Sequence, residues 1–442
     1  MRQDRTFTGV IRNQNFFTLW MAQIASQTAQ NGIHFVQIVL IETLTRSTAH
    51  MAIMILSFSL PAVLLSSVAG IAVDRLSNKL VMLASNGIRV LTVTTYILVL
   101  DRLGGWSLLL VIYAVTFISS AIGQFFAPAE ATTIPLLVGE ERLLTANALF
   151  NLTLIGTQVV GLVIVAPLTV KLLGIKGAFG IVALMYLTAS VLVSRIPRDK
   201  PKLIVEAGAS MLKRVWEELR AGWRYVASRR PIQIALAQLT MTTTLLLMMA
   251  MIAPGYATRV LGMLPEDAIF VFAPAGVGML ANTFLIGRFG YKFRREVMSS
   301  VGFSAMVLTL FGFGLAGFDL PLWLTLPKVP AVMLLSLTLG AEIALVAIPS
   351  ETLLQEKSPP ELRGRVIAVY FLLANMVAIP IMLLVGTVAD QVGIARVVMG
   401  VVAFLLIIAA TTTYQAFRVR EVGGGIFDTG TAIEYYSHAS DE

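Results

Sequence analysis

Cysteine is absent from the 442 residues, and charge is scarce: Asp, Glu, Lys and Arg together make up 13% of the chain. Without cysteine there are no disulfides and no thiolate metal sites. The three histidines show no metal-ligand spacing, and the chain has neither a phosphate-cradling glycine loop nor a nucleophile elbow. ATP-driven and hydrolytic chemistry therefore have no visible basis, and the expectation is a non-enzyme with no cofactor and no metal. A soluble chain of this length would carry about twice this charged fraction. What is abundant is apolar: 57% of residues, for a mean hydropathy of +0.82. The net charge of +8 is not a nucleic-acid footprint, because the bases lie in loops beside apolar runs.

At about 20 apolar residues per crossing, the sequence holds about twelve spans, at 16–41, 48–72, 80–100, 107–127, 142–170, 177–195, 231–257, 267–289, 296–317, 329–352, 364–390 and 394–417. Met1 to Asn15 is polar and the first apolar run lacks a small-residue cleavage site, so that run reads as a retained span. With both termini cytoplasmic, the outside loops hold only Arg46, Arg102, Lys171, Lys176, Arg259, Lys328 and Arg396 of the 33 bases. The opposite topology inverts that bias.

Two features divide the chain. The longest polar insertion, 196–230, is strongly basic, and within it Met211, Val215, Leu219 and Trp223 recur at helical spacing, as in an amphipathic helix lying on the inner membrane surface. Charged turns also repeat. Gly70 to Lys79 holds Asp74 and Arg75 between two apolar spans, and charge this dense marks a membrane surface. A second turn, Gly287 to Arg295, follows at an offset of 287 − 70 = 217, and Arg142 and Arg363 stand 363 − 142 = 221 apart. Two similar offsets argue for two six-span halves. The expected organisation is an N-terminal half at 1–195, a cytoplasmic linker at 196–230, a C-terminal half at 231–417 and a disordered cytoplasmic tail at 418–442.

The turn from Gly70 to Lys79 resembles the signature loop of the major facilitator superfamily, Gly-x-x-x-Asp-Arg-x-Gly-Arg-Lys, with Ser77 and Asn78 as departures. Asn15 to Trp20 with Gln23 and Ser26, Phe126 to Ala129 through Ile134-Pro135 and Leu143 to Leu149, and Ser358 to Val366 resemble the branch that contains macrolide exporters and the enterobactin exporter. The resemblance implies an all-α membrane protein with two six-helix pseudo-repeats and transport by alternating access. It also implies a conformational latch at Gly70, Asp74 and Arg75, to which Arg89, Glu130 and Arg363 are added as charged partners. Members of the branch usually carry an acid in the middle of span 1, about where Gln30 stands here.

Polar residues inside spans are the candidate site. Gln23, Gln27, Gln30, His34 and Gln37 are spaced by 4, 3, 4 and 3 and share one face of span 1. Such a stripe cannot face lipid. It lines a substrate cavity or bonds to other helices. Asn147, Asn151, Thr157 and Gln158 repeat the pattern more weakly in span 5, with the same two readings. Span 7 offers Met241, Met248, Met249 and Met251 near Thr242 to Thr244, either as a pocket for varied apolar ligands or as ordinary packing. Glu342 is the only acid near the middle of a span, and an intramembrane acid is a functional hypothesis by default. It and His34 are the candidates for proton coupling. Arg89, in the inner third of span 3, is expected to pair with Glu130 or with backbone carbonyls.

The expected activity is proton-coupled efflux of hydrophobic or amphipathic small molecules by a monomer embedded in the lipid bilayer of the cell membrane, as in a bacterial inner membrane, with no nucleic-acid partner. A dedicated exporter of one metabolite, such as a siderophore, or a lysophospholipid flippase is the nearest alternative. A membrane receptor or scaffold that moves nothing would gain little from so polar an interior.

Overall fold

The computed structural model describes residues 7–199, 210–318 and 327–406. The side chains of Gly70, Asp74, Arg75, Glu140 and Glu361 lie outside the described residues, as do the tail 418–442 and the side chains of Met211 and Val215. Contacts divide the chain into two compact units, 1–206 and 207–442.

Every element of the described residues is helical, since in lipid a helix satisfies its own backbone. After a short α1 (Phe7–Ile11), the first unit contains α2 (Gln14–Thr45), α3 (Thr48–Arg75), α4 (Asn78–Val99), α5 (Gly105–Val138), α6 (Leu143–Val159) and α7 (Ala166–Ser194). A π-helical segment, Val160–Val165, joins α6 to α7. The second unit holds α8 (Ser210–Ala227), α9 (Arg230–Arg259), α10 (Ala268–Phe289), α11 (Arg295–Ala316), α12 (Lys328–Lys357), α13 (Pro360–Val392) and α14 (Ile394–Leu406).

Nine stretches of the described residues are long and apolar enough to cross a bilayer. One of them, Leu143–Ser194, runs to 52 residues and is broken at Gly174, whose φ of 69° suits glycine, so it supplies two crossings. Gln14–Thr45, with 32 residues, is also long enough to cross, though its polar stripe makes it less apolar than these nine. Ile394–Leu406 is a shorter apolar helix within the twelfth expected span, 394–417, whose residues from 407 lie outside the described ones. Within 196–230 the structure describes α8, which buries Gly222 and Val226 against α13 and α9; of the apolar face expected from spacing, Leu219 packs on this core but Trp223 is exposed, as are Arg220 and Arg224.

The charged turn between α3 and α4 is built as a helix start. The Ser77 hydroxyl accepts from the N–H of Leu80 at 3.4 Å. Asp199, beyond the end of α7, completes the cap. Its carboxylate accepts from the Ser77 hydroxyl at 2.6 Å and from the N–H groups of Asn78 at 2.6 Å and Lys79 at 3.2 Å. Lys79 returns the contact, donating to the carbonyls of Ser194 and Ile196 at 2.6 Å each. Partial burial pushes the Asp199 carboxyl up, but the hydroxyl and the N–H groups favour its anion more, and the net effect holds it below the usual range.

In the second unit α10 and α12 approach at glycine. A Cβ on Gly340 would collide with the carbonyl of Ala275, and one on Gly278 with the carbonyl of Leu337. Small residues let helix backbones touch where lipid supplies no hydrophobic drive. Gly340→Ala should therefore force α10 and α12 apart and cost about 1–3 kcal/mol, read as a lowered melting temperature in detergent; Gly276→Ala, with open space at its Cβ, should leave it unchanged. Asp199→Ala should cost about 1 kcal/mol as a lost cap. Because the folded Asp199 titrates below its unfolded value, its contribution is complete above the unfolded pKa and disappears as pH falls through the folded one. Melting curves of Asp199→Ala and the parent should thus converge only under acid conditions.

Candidate transport site

In the first unit the polar face of α2 meets a polar face of α4. The Ser26 hydroxyl donates to Asn86 Oδ1 at 3.0 Å, Arg89 Nη2 to Gln30 Oε1 at 2.8 Å, and Gln37 Nε2 to the Tyr96 hydroxyl at 2.9 Å. The sequence separations are 60, 59 and 59. A constant separation means that the two helices run parallel and in register, so a stripe on one faces a stripe on the other. Tyr96 continues the seam to Thr116 on α5 at 2.5 Å and stacks on Phe179 of α7 with centroids 4.6 Å apart.

The five-residue stripe of α2 thus divides. Gln30 and Gln37 bond to α4, and Gln23, buried, donates to the carbonyl of Phe150 on α6 at 3.4 Å. Gln27 is half-buried. His34 is half-buried with its ring tilted over Phe58 at 4.3 Å, and its Nδ1 is enclosed without a hydrogen-bond partner. Gln30, His34, Gln37, Arg89, Thr116 and Tyr186 surround a cavity of about 10 Å³, which is space for about one water.

The expected pairing of Arg89 with Glu130 is not made. The Arg89 guanidinium turns to Gln30 and, at 3.4 Å, to the Ser26 hydroxyl, and it lies over the rings of Phe126 and Tyr186 at 5.7 and 5.3 Å. Gly123 leaves it room, since a Cβ there would strike the guanidinium. Glu130, one turn beyond Phe126, is fully buried and neither carboxyl oxygen has a hydrogen-bond partner. Two rings and an amide acceptor hold the cation where it stands without a salt bridge.

The remaining candidates scatter. Asn151 and Gln158 of α6 are exposed, whereas Thr157 is buried and bonds to the Thr153 carbonyl. Met248, Met249 and Met251 of α9 are buried in the second unit. Arg363 is exposed and donates from Nε to the Ser358 carbonyl at 3.2 Å. Glu342 stands on α12 beside the Gly340 contact. Its Oε1 accepts from the Thr309 hydroxyl of α11 at 2.8 Å, while Oε2 is buried without a partner. Among the described residues no cation pairs with it. No cluster of residues able to hold a metal ion occurs among the described residues.

The partners Asn86, Tyr96, Thr116 and Thr309 were not singled out from sequence. The signal for the first two is the spacing of Asn86, Arg89, Val93 and Tyr96, a second stripe on span 3 at helical intervals. A double-mutant cycle should find Arg89 coupled to Gln30 through their bond, with Gln30→Leu alone costing about 1–3 kcal/mol because it strands a buried donor. The coupling measured between Arg89 and Glu130 by Glu130→Gln should be smaller.

Comparison with known proteins agrees with this architecture. The family model described as Major Facilitator Superfamily matches residues 19–382. An uncharacterized MFS-type transporter of Bacillus subtilis (strain 168), YfiS, is 24% identical over 414 residues, which is 91% of this chain and 94% of that protein. A second from the same organism, YkuC, is 26% identical over 195 residues, 43% of this chain and 44% of its own. Among solved structures, the nucleoside transporter NupG superposes with a TM-score of 0.68 at 14% identity, covering 90% of this chain and 99% of NupG. A bacterial homologue of the human lysosomal transporter Spinster, inward-facing and unoccupied, gives 0.70 at 12% identity, covering 92% and 97%. These likenesses to solved structures establish a shared fold, and the family match over most of the length settles the class: the chain belongs to the major facilitator superfamily, a multi-pass membrane transporter.

Proposed function

We propose that this transporter exports hydrophobic or amphipathic small molecules by alternating access, driven by protons that enter and leave through Glu342. The observation that carries the coupling role is the Glu342 carboxyl itself: an acid within a membrane helix, held by one hydroxyl, with its second oxygen buried and unpartnered. A charge in that position without a cation is costly. Gain or loss of a proton there therefore changes the energy of whichever conformation encloses it, and that difference is what lets a gradient bias a two-state equilibrium. Gln30 stands about where members of the branch this chain resembles carry an acid and is bonded to Arg89, so α2 offers His34 and Glu42, buried near its end, as the alternatives.

In this reading both termini and the linker face the cytoplasm, the monomer sits in the cell membrane, and Gln27, His34 and Met248 are the positions from which substrate contact is to be sought. The turn with Gly70, Asp74 and Arg75 serves as the latch of one state, steadied from the other side of the turn by Asp199. The structural neighbours carry nucleosides in one case and bear the Spinster name in another, so the fold alone leaves the substrate open.

The test is uptake into inverted vesicles under an imposed proton gradient, with an uncoupler as control. Glu342→Gln, nearly isosteric, should retain ligand binding and lose gradient-driven accumulation, while His34→Gln should be milder. Parent-like, uncoupler-sensitive transport by Glu342→Gln would make the residue structural and move the coupling role to His34 or Glu42.

A further inference from the structure

A void of about 380 Å³ opens in the second unit between the end of α8, the first turns of α9 and the middle of α13. Trp223 and Ala227 line it from α8, Gln233, Thr240 and Met241 from α9, and Leu373 from α13. Its volume is many times the space of one water, enough to admit an alkyl chain. Along α9 it reaches from Gln233 to Met241, about 12 Å at 1.5 Å per residue, within the roughly 15 Å depth of one leaflet.

One further observation separates it from a packing defect: its mouth is basic. Arg229 and Arg230 lie in the short connection between Ala227 and Gln233, which both line the void and are tied together by a bond from Gln233 Nε2 to the Ala227 carbonyl at 2.7 Å. Both arginines are exposed, as are Arg220 and Arg224, and Arg229 is held over the Tyr225 ring at 5.3 Å. No acid occurs between Leu219 and Met241. An apolar slot one leaflet deep, with cations at its mouth, matches a single chain that carries an acidic head group.

We infer that this slot binds a single-chain anionic amphiphile drawn from the adjoining leaflet. The chain lies along α9 towards Met241 and the head group rests at Arg229 and Arg230. The inference rests on the membrane setting and not on proton coupling, so it is tested without a gradient.

The probes are lysophosphatidylglycerol and lysophosphatidylcholine carrying the same brominated acyl chain. The readout in detergent-purified full-length protein is the bromine quenching of the fluorescence component that Trp223→Phe removes. The anionic probe should saturate at a roughly tenfold or more lower concentration than the zwitterionic one, since each arginine near a membrane surface contributes about 1 kcal/mol towards an acidic head group. Added salt should erode the preference. The surface pair Arg229→Gln with Arg230→Gln should abolish it while both probes still quench, and Ala237→Phe, which fills the slot, should remove saturable quenching of both. Should Ala237→Phe fail to fold, the arginine pair still decides the matter. Equal affinity of the parent for the two probes, or a preference that survives the arginine substitutions, would overturn the inference and leave the void as ordinary annular space.

Discussion

Hydrocarbon offers polar groups no partner, so every polar side chain in a span has to find one inside the protein or line a wet cavity. The seam of side-chain bonds between α2 and α4 is one consequence. Ser26, Gln30 and Gln37 each meet a residue 59 or 60 positions later, and that constant offset fixes two helices parallel and in register. Apolar packing alone would fix neither, because leucine on leucine in lipid tolerates sliding and rotation. A slip of one residue along α2 would turn Gln30 away from Arg89 and leave a buried guanidinium without its acceptor. The seam thus acts as a register device. Tyr96 carries it on to α5 through Thr116 and to α7 through Phe179.

The second unit reaches definition by another route. Its central contact is steric: Gly278 and Gly340 allow α10 and α12 to meet backbone to backbone, and Asn282 donates to the Ala341 carbonyl at 2.6 Å across the same junction. This close approach sets the height and rotation of α12 and hence the position of Glu342 two residues on. The two units therefore share a helix plan but not an interior chemistry. One is organised by amides and a guanidinium, the other by missing side chains beside a lone acid.

How much of this could be read from sequence follows from the same physics. The spans were legible because lipid imposes a length and a composition, and even the break between the fifth and sixth lies at Gly174 inside the unassigned interval 171–176. The glutamine stripe was legible as a face, since spacing alone fixes which residues share one. What that face would do was not, because Gln30 can line water or bind a cation equally well until Arg89 is placed. The expected Arg89–Glu130 pair shows the limit. Opposite charge suggested it, but the outcome turned on Gly123 opening room for the guanidinium beside Phe126, a steric detail with no signature in charge pattern. Thr309 was invisible for a simpler reason: one threonine in an apolar span has no period.

The way Arg89 is held bears on where a proton could act. A guanidinium bound by carboxylates loses a partner whenever one of them is protonated, so its position follows pH. Bound by the amide of Gln30, the hydroxyl of Ser26 and two aromatic faces, it meets acceptors that do not titrate. These bonds themselves do not titrate, while the ionisable His34 shares a small cavity with Arg89. Glu342 has a different setting, a single neutral donor in Thr309 and one oxygen with no partner. On the proposed coupling role of Glu342, the hydrogen-bonded seam lies in one unit and the titrating group in the other.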